Sequence, residues 1–285
     1  MPLPSSVGYI GLGNIGGPSA RHLIGKSWQA HVFDVWPAAM ESLVADGAIA
    51  ASSVADVAAN CQHIGICVRD DEQVEALLYG AAGILENAEV DTVIAIHSTV
   101  SRAGLLRWAG DAGERGLHLI DAAISGGKQG AEEARLCYMV GGAAGIVERA
   151  RPVFLTSGNS VIHAGDLGTG LLLKLCNNLI TYAEFMAMSE AVRLAEAGGL
   201  QSEMLREVGK SNGVVNEMMS QFISNRNALA RECTEEQMDQ FFGDFGRLAE
   251  KDLDCALRSA EEMGVSLPST RRLRDQALAL FLNKA

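Results

Sequence analysis

The sequence predicts an α/β domain built on a mainly parallel sheet, followed by an all-α domain reached through one long helix. Three observations predict it. Short apolar strands alternate with helical stretches over residues 1–166, a glycine-rich run leaves the first of these strands, and strand character disappears from residue 168 onward. Alternation at this spacing means βαβ units, and 285 residues suffice to bury two cores. The first domain is placed at 1–166 and the second at 167–285.

Residues 7–10 form the first strand, and GLGNIG follows directly at 11–16. A helical pattern then runs through Leu23 and Ile24 to Gly25. The second strand, His31 with Val32 and Phe33, ends on Asp34. Further strands are expected at 63–68, 92–97, 117–120, 136–140 and 160–163, with helices at 71–79, 102–115 and 144–154 between them. A long helix is expected from 171 to 197, stopped by Gly198 and Gly199, because glycine adopts the left-handed turn that closes a helix. Its apolar face runs through Leu175, Leu179, Tyr182, Met186, Val192 and Leu194. Shorter helices are expected at 202–210, 214–229, 235–242, 245–263 and 270–282, with Gly264 and Pro268 marking the last turn.

Composition narrows the function classes. The chain is 48% hydrophobic and 20% charged, the balance of a globular protein. Its 35 acidic and 23 basic residues leave a net charge of −12, which argues against nucleic acid as a partner. An anionic substrate would need local positive charge against that global field. The six cysteines form no CxxC pair and read as buried thiols in a reducing compartment. The start, MPLPSSVGYIGLG, lacks the basic region and cleavage site of a secretory signal, and no apolar run has membrane-spanning length. A cytoplasmic protein with no membrane partner is the expectation.

The glycine run has a specific mechanical reading. Gly11 permits the tight turn off the strand, Gly13 lets a diphosphate approach the backbone, and Gly16 permits close helix–strand packing. Leu12, Asn14 and Ile15 complete a loop whose amides, with the positive end of the next helix, face the phosphates. Asp34 follows Gly16 by 18 residues, where a carboxylate can accept both ribose hydroxyls of an adenosine. Together these define a Rossmann-type dinucleotide domain. Asp34 would repel the 2′-phosphate of NADP, and Val35, Trp36 and Pro37 bring no basic group, so NAD is expected in preference to NADP. Taken alone, Asp34 is also an ordinary strand-end turn residue.

Lys174 stands in GTGLLLKLCNNLI among Leu171, Leu172, Leu173 and Leu175. A buried cation costs several kcal/mol unless it is paired, so its place in an apolar run needs a reason. Asn178, four residues on, shares its helical face. An ammonium and an amide on one apolar face suit a cleft between the two domains; a lysine snorkelling from the edge of a core helix is the plainer alternative.

Four blocks in order resemble the 3-hydroxyisobutyrate dehydrogenase family of β-hydroxyacid dehydrogenases: GLGNIG, DAAISGGKQGA at 121–131, GTGLLLKLCNN at 168–178 and KDL at 251–253. The resemblance covers nearly the whole chain. It implies hydride transfer between a nicotinamide cofactor and a small β-hydroxy acid or its semialdehyde. Ser125, Gly126 and Gly127 would hold the substrate carboxylate, Lys174 would act as acid/base, and Asn178 would position the substrate. Lys251 would reach substrate and cofactor from the helical domain, with Val68 and Thr99 beside the cofactor. A homodimer or homotetramer formed through the helical domain is also implied. Plainer readings stand beside these: a tight turn at Ser125, a solvated Lys251, and Thr99 as cap of the helix beginning near Ser101.

Departures from the family pattern bear on specificity. Ala123 and Arg102 stand where proline is common, Ala134 where glycine is usual, and Val68–Arg69 where a Leu-Pro pair is common. Arg69 and Lys128 place cations where strand ends line such sites, which suggests a substrate with a second anionic or strongly polar group. Two other functions compete. Related imine reductases resemble this family but generally replace the lysine, and a non-catalytic dinucleotide sensor or scaffold would not need Ser125, Lys174, Asn178 and Lys251 together.

Overall fold

The structure, a computed structural model, describes residues 3–284. Its contacts divide the chain into two compact units, the first running to Lys174 and the second starting at Leu175.

The first unit alternates β1 (Ser6–Ile10), α1 (Gly16–Arg21), β2 (Gln29–Phe33), α2 (Ala38–Ala45), β3 (Ile49–Ala50), α3 (Val54–Asn60), β4 (His63–Ile66), α4 (Asp71–Leu78), α5 (Ile84–Asn87), β5 (Val93–Ile96), α6 (Arg102–Glu114), β6 (His118–Ser125), α7 (Gly127–Glu132), β7 (Leu136–Gly141), α8 (Ala144–Phe154) and β8 (Gly158–Gly165). The strands form one eight-stranded sheet in the order β3-β2-β1-β4-β5-β6-β7-β8. Every pair is parallel except β6–β7, where Asp121 faces Gly141 and Ser125 faces Cys137. Strands β1, β4 and β5 are buried along their whole length, as helix-covered parallel strands are. The edge strand β8 is largely open. The strand order reverses between β1 and β4, and such a switch point opens a crevice at the strands' C-terminal ends.

Several boundaries differ from the sequence expectation, each for a local reason. β4 stops at Ile66 rather than 68, so Val68 and Arg69 lie in the loop beyond it. β6 continues past 120 to Ser125, because residues 121–125 pair with β7. The acidic Asp121 interrupts the apolar run that marks a strand in the sequence. α1 ends at Arg21, and a turn leads to Gly25 at φ +73°. The two-residue β3, an Ile-Ala pair with both residues exposed, is too short to show a period in the sequence.

A 29-residue helix, α9 (Thr169–Ala197), runs out of the first unit into the second. It stops before Gly199, which takes φ +78°. The second unit continues with α10 (Ser202–Asn212), α11 (Glu217–Glu232), α12 (Glu235–Met238), a π-helical turn at Asp239–Gly243, α13 (Asp244–Glu262) and α14 (Pro268–Phe281). α11 starts at Glu217 rather than 214 because Asn216 caps it, its Oδ1 accepting from the Met219 amide at 2.8 Å. The core of this unit gathers Tyr182, Phe185, Met188, Ile223, Leu253 and Phe281, with Phe185 stacked on Phe222 at 4.3 Å. Among the described residues no helix is long and apolar enough to cross a membrane.

Candidate active site

The glycine loop is built as the phosphate reading requires. Gly11 sits at φ +90° with its amide donating to the Phe33 carbonyl at 3.0 Å, and a methyl there would lie 2.3 Å from the Cys67 carbonyl oxygen. A methyl at Gly16 would fall 1.9 Å from the Gly11 carbonyl oxygen. At Gly13 a methyl would meet nothing within 4 Å, so the backbone there faces open space. Leu12 is buried and Ile15 packs against the core, so both offer the loop's outer side only backbone; Asn14 is exposed.

Asp34 follows β2 and grips this loop directly. Its Oδ2 accepts from the Leu12 amide at 2.8 Å and its Oδ1 from the Trp36 amide at 2.9 Å. Each oxygen keeps a further lone pair for a ligand hydroxyl. Val35 and Trp36 are largely exposed beside it, and neither they nor Pro37 carry charge. The residues present therefore fit a dinucleotide, which Gly11 to Gly16 and Asp34 would hold.

The loops after β4 and β5 are knitted together by Ser98, Asp71 and Ser101, none of which the sequence marks as a site residue. The Val68 amide donates to Ser98 Oγ at 2.9 Å. Asp71 accepts from the Ser101 amide at 2.9 and 3.1 Å and from the Ser101 hydroxyl. Between these ties lie Arg69, which is exposed and whose amide donates to Gln73 Oε1 at 3.0 Å, and half-buried Thr99. The cap of α6 is Ser101, whose Oγ accepts from the Gly104 amide, and not Thr99. A serine and an aspartate near strand ends carry no period or spacing that marks such cross-links in advance.

Ser125 ends β6, and the chain turns at once into α7 through Gly126 at φ +133° and Gly127 at φ +64°. Two successive left-handed residues explain the glycine pair. Ser125 is half-buried and Lys128 exposed, its Nζ 3.7 Å from Glu132. That exposed pair is weak, and it leaves Lys128 on the surface of α7.

The start of α9 is tied to the sheet. Asp121 is 2% exposed; its Oδ1 accepts from the Gly168 amide at 2.7 Å and its Oδ2 from the Leu171 amide at 2.6 Å. Burial pushes its carboxyl above the usual range, against the lowering effect of these amides. One turn further, Lys174 is half-buried between Leu173, which is open, and Leu175, which is buried.

In the second unit Asn178 is buried, and its Nδ2 donates to Asp252 Oδ2 at 2.7 Å. Tyr182 donates its hydroxyl to the same oxygen at 3.2 Å, and burial followed by this carboxylate pushes the phenol pKa up. Lys251 Nζ lies 3.6 Å from Asp252 Oδ1, an atom with no hydrogen bond of its own. Asp252 thus fixes the amide of Asn178 and stands beside Lys251. The sequence passed it over within KDL, because an aspartate next to a lysine on a polar helix reads as surface.

The comparisons with known proteins agree with this geometry. Residues 6–165 match the model described as the NAD binding domain of 6-phosphogluconate dehydrogenase, and 168–282 that described as the NAD-binding of NADP-dependent 3-hydroxyisobutyrate dehydrogenase. A 2-(hydroxymethyl)glutarate dehydrogenase of Eubacterium barkeri is 34% identical, covering 93% of this chain and 85% of its own length. An NAD-dependent L-serine dehydrogenase of Pseudomonas aeruginosa is 32% identical over 92% of this chain and 87% of its own. The solved Mycobacterium tuberculosis 3-hydroxyisobutyrate dehydrogenase, determined with L-serine, superposes with a TM-score of 0.81 at 25% identity, over 98% of this chain and 93% of that one. A doubly wound nucleotide domain followed by a helical domain defines the class, a nicotinamide-dependent oxidoreductase. Within it, the chain belongs to the 3-hydroxyisobutyrate dehydrogenase family of β-hydroxyacid dehydrogenases.

Proposed function

We propose that this protein oxidises a small β-hydroxy acid to its semialdehyde, and catalyses the reverse reduction, with NAD used in preference to NADP and Lys174 as the acid/base. The observation that carries the reading is the polar face of α9. Lys174 is a half-buried ammonium in an apolar helix, followed one turn later by Asn178, whose amide Asp252 holds at 2.7 Å. Such an arrangement is hard to explain by packing alone.

When bound, the nicotinamide supplies the hydride acceptor. The chain's own residues do the rest. The hydroxyl of Ser125 and the backbone at Gly126 and Gly127 hold the substrate carboxylate. Lys174 as the neutral amine takes the hydroxyl proton in oxidation; the ammonium so formed returns it in reduction, where its charge steadies alkoxide character at that oxygen. Asn178 orients the reacting centre, and Lys251 supplies a second positive charge to the reaction. Val68 and Thr99 line the cofactor side of the site. Asp34, with no cation at residues 35–37, supports NAD, as does the NAD-dependent relative.

Arg69 and Lys128 support a substrate with a second anionic group, as does the name of the relative that acts on 2-(hydroxymethyl)glutarate. Exposed Leu194, Met204, Val208, Val214 and Met218 support self-association of the helical unit as a dimer or tetramer. The cytoplasm is the proposed compartment.

The test is NAD reduction at alkaline pH with 3-hydroxyisobutyrate, L-serine, glycerate and 2-(hydroxymethyl)glutarate. Turnover of one or more acids, with higher kcat/KM for NAD than NADP, is expected. Arg69→Glu should raise KM much more for the dicarboxylate than for 3-hydroxyisobutyrate. Tight NAD binding with no acid turned over would instead indicate a sensor.

A further inference from the structure

Asp121 occupies a niche that only glycine backbones leave open. A methyl at Gly141, its partner across β6–β7, would lie 2.4 Å from Asp121 Oδ1. A methyl at Gly170 would lie 2.4 Å from the Met139 carbonyl oxygen and 2.8 Å from Asp121 Oδ2. The first turn of α9 therefore rests directly on the sheet, with the carboxylate between them. A helix start leaves its first amides without partners, and here one side chain from another element takes those of Gly168 and Leu171 and also draws on that of Gly170. Gly170 and Leu171 precede Lys174 by four and three residues, so they share its helical face. An ionised carboxylate kept at 2% exposure is costly unless it is hydrogen-bonded, and an ordinary local cap would satisfy the helix without that cost. The burial of this group thus needs a purpose beyond capping.

We propose that Asp121 is the positioning residue of Lys174: it clamps the first turn of α9 to β6 and so fixes where the ammonium one turn later meets the substrate hydroxyl. The inference rests on the dehydrogenase reading and adds to it a residue that touches neither substrate nor cofactor. Asp121 also lies at the one antiparallel junction of the sheet, four residues before Ser125 on the same strand. One strand then sets both the carboxylate-holding turn and the proton-transferring helix.

The test is Asp121→Asn, which keeps one acceptor and turns an N–H toward the second amide, alongside Asp121→Ala, which removes both acceptors. Hydrogen exchange at the amides of Gly168, Gly170 and Leu171 should speed up in both variants while β1 and β4 stay protected. For Asp121→Asn, kcat should fall about tenfold or more, since misplacing a catalytic group by ångströms has effects of that order. KM and NADH affinity should change less than about twofold to threefold, the signature of a step lost after binding. The solvent deuterium isotope effect on kcat should rise, because transfer from a displaced ammonium becomes limiting. Unchanged exchange at the three amides overturns the proposal whatever the substrate is. So does an unchanged kcat, or a loss of turnover matched by an equal loss of NADH binding. A native chain that oxidises no acid contradicts the dehydrogenase reading instead, and the clamp is then judged by exchange alone.

Discussion

Ala134 takes φ +53° in the turn between α7 and β7, a conformation that strains an L side chain. Glycine is usual at this place in the family pattern, and the backbone gives the reason. Ala134→Gly should stabilise the first unit by about 1 kcal/mol in denaturant unfolding, the strain relieved exceeding the entropy added to the unfolded chain. A lower midpoint would mean that the turn is relaxed around alanine. Other single residues were less legible. Asp34 was marked by its place after the second strand, but its grip on the Leu12 amide was not, because side chain-to-loop bonds leave no periodic trace. Asp121 and Asp252 were missed as individuals for a related reason. A carboxylate in a sequence reads as surface, and only the fold shows that 2% and 3% of these two remain exposed.

At the scale of elements, what repeats with a period was readable. The buried strands β1, β4 and β5 are short, mainly apolar segments, and α9 is followed by a glycine pair, so all four were expected within a few residues. Elements set by partners rather than pattern were not. β6 extends to Ser125 only because β7 lies against it, and β3 exists only as an edge on β2. The helix expected at 235–242 became α12 and a π-helical turn that runs into α13, a junction without a break in sequence. The ties of Ser98 to Val68 and Ser101 to Asp71 belong to this class as well. They hold the two loops in which Arg69 and Thr99 stand.

At the scale of the molecule, the first unit buries His31, His63 and His97, and burial shifts the last two furthest. Burial pushes His63 down to about 3 and His97 down to about 4, from an ordinary value of 6.5. A depressed folded pKa means that the unfolded chain takes up protons which the folded chain refuses. The associated stability is therefore complete above pH 6.5 and is lost as pH falls toward 4 and then 3. Each unit of pH in that window costs about 1.4 kcal/mol per histidine. Asp121, raised by burial, acts in the opposite sense as it protonates. Urea midpoints should drop steeply from pH 7 to pH 5, and His97→Gln should flatten the drop; a flat profile in the native chain would contradict neutral buried imidazoles. The two-unit plan was legible because strand signal ends where helices begin, while the hydrogen bonds of Asp121 to the start of α9 were not. The central claim, that this family member uses Lys174 to move the proton, is tested most directly by turnover and NADH binding of Lys174→Ala. If Lys174 moves the proton, kcat falls by roughly 10²- to 10⁴-fold, the usual worth of a general acid/base, with NADH affinity nearly intact. Turnover close to that of the native chain would contradict it.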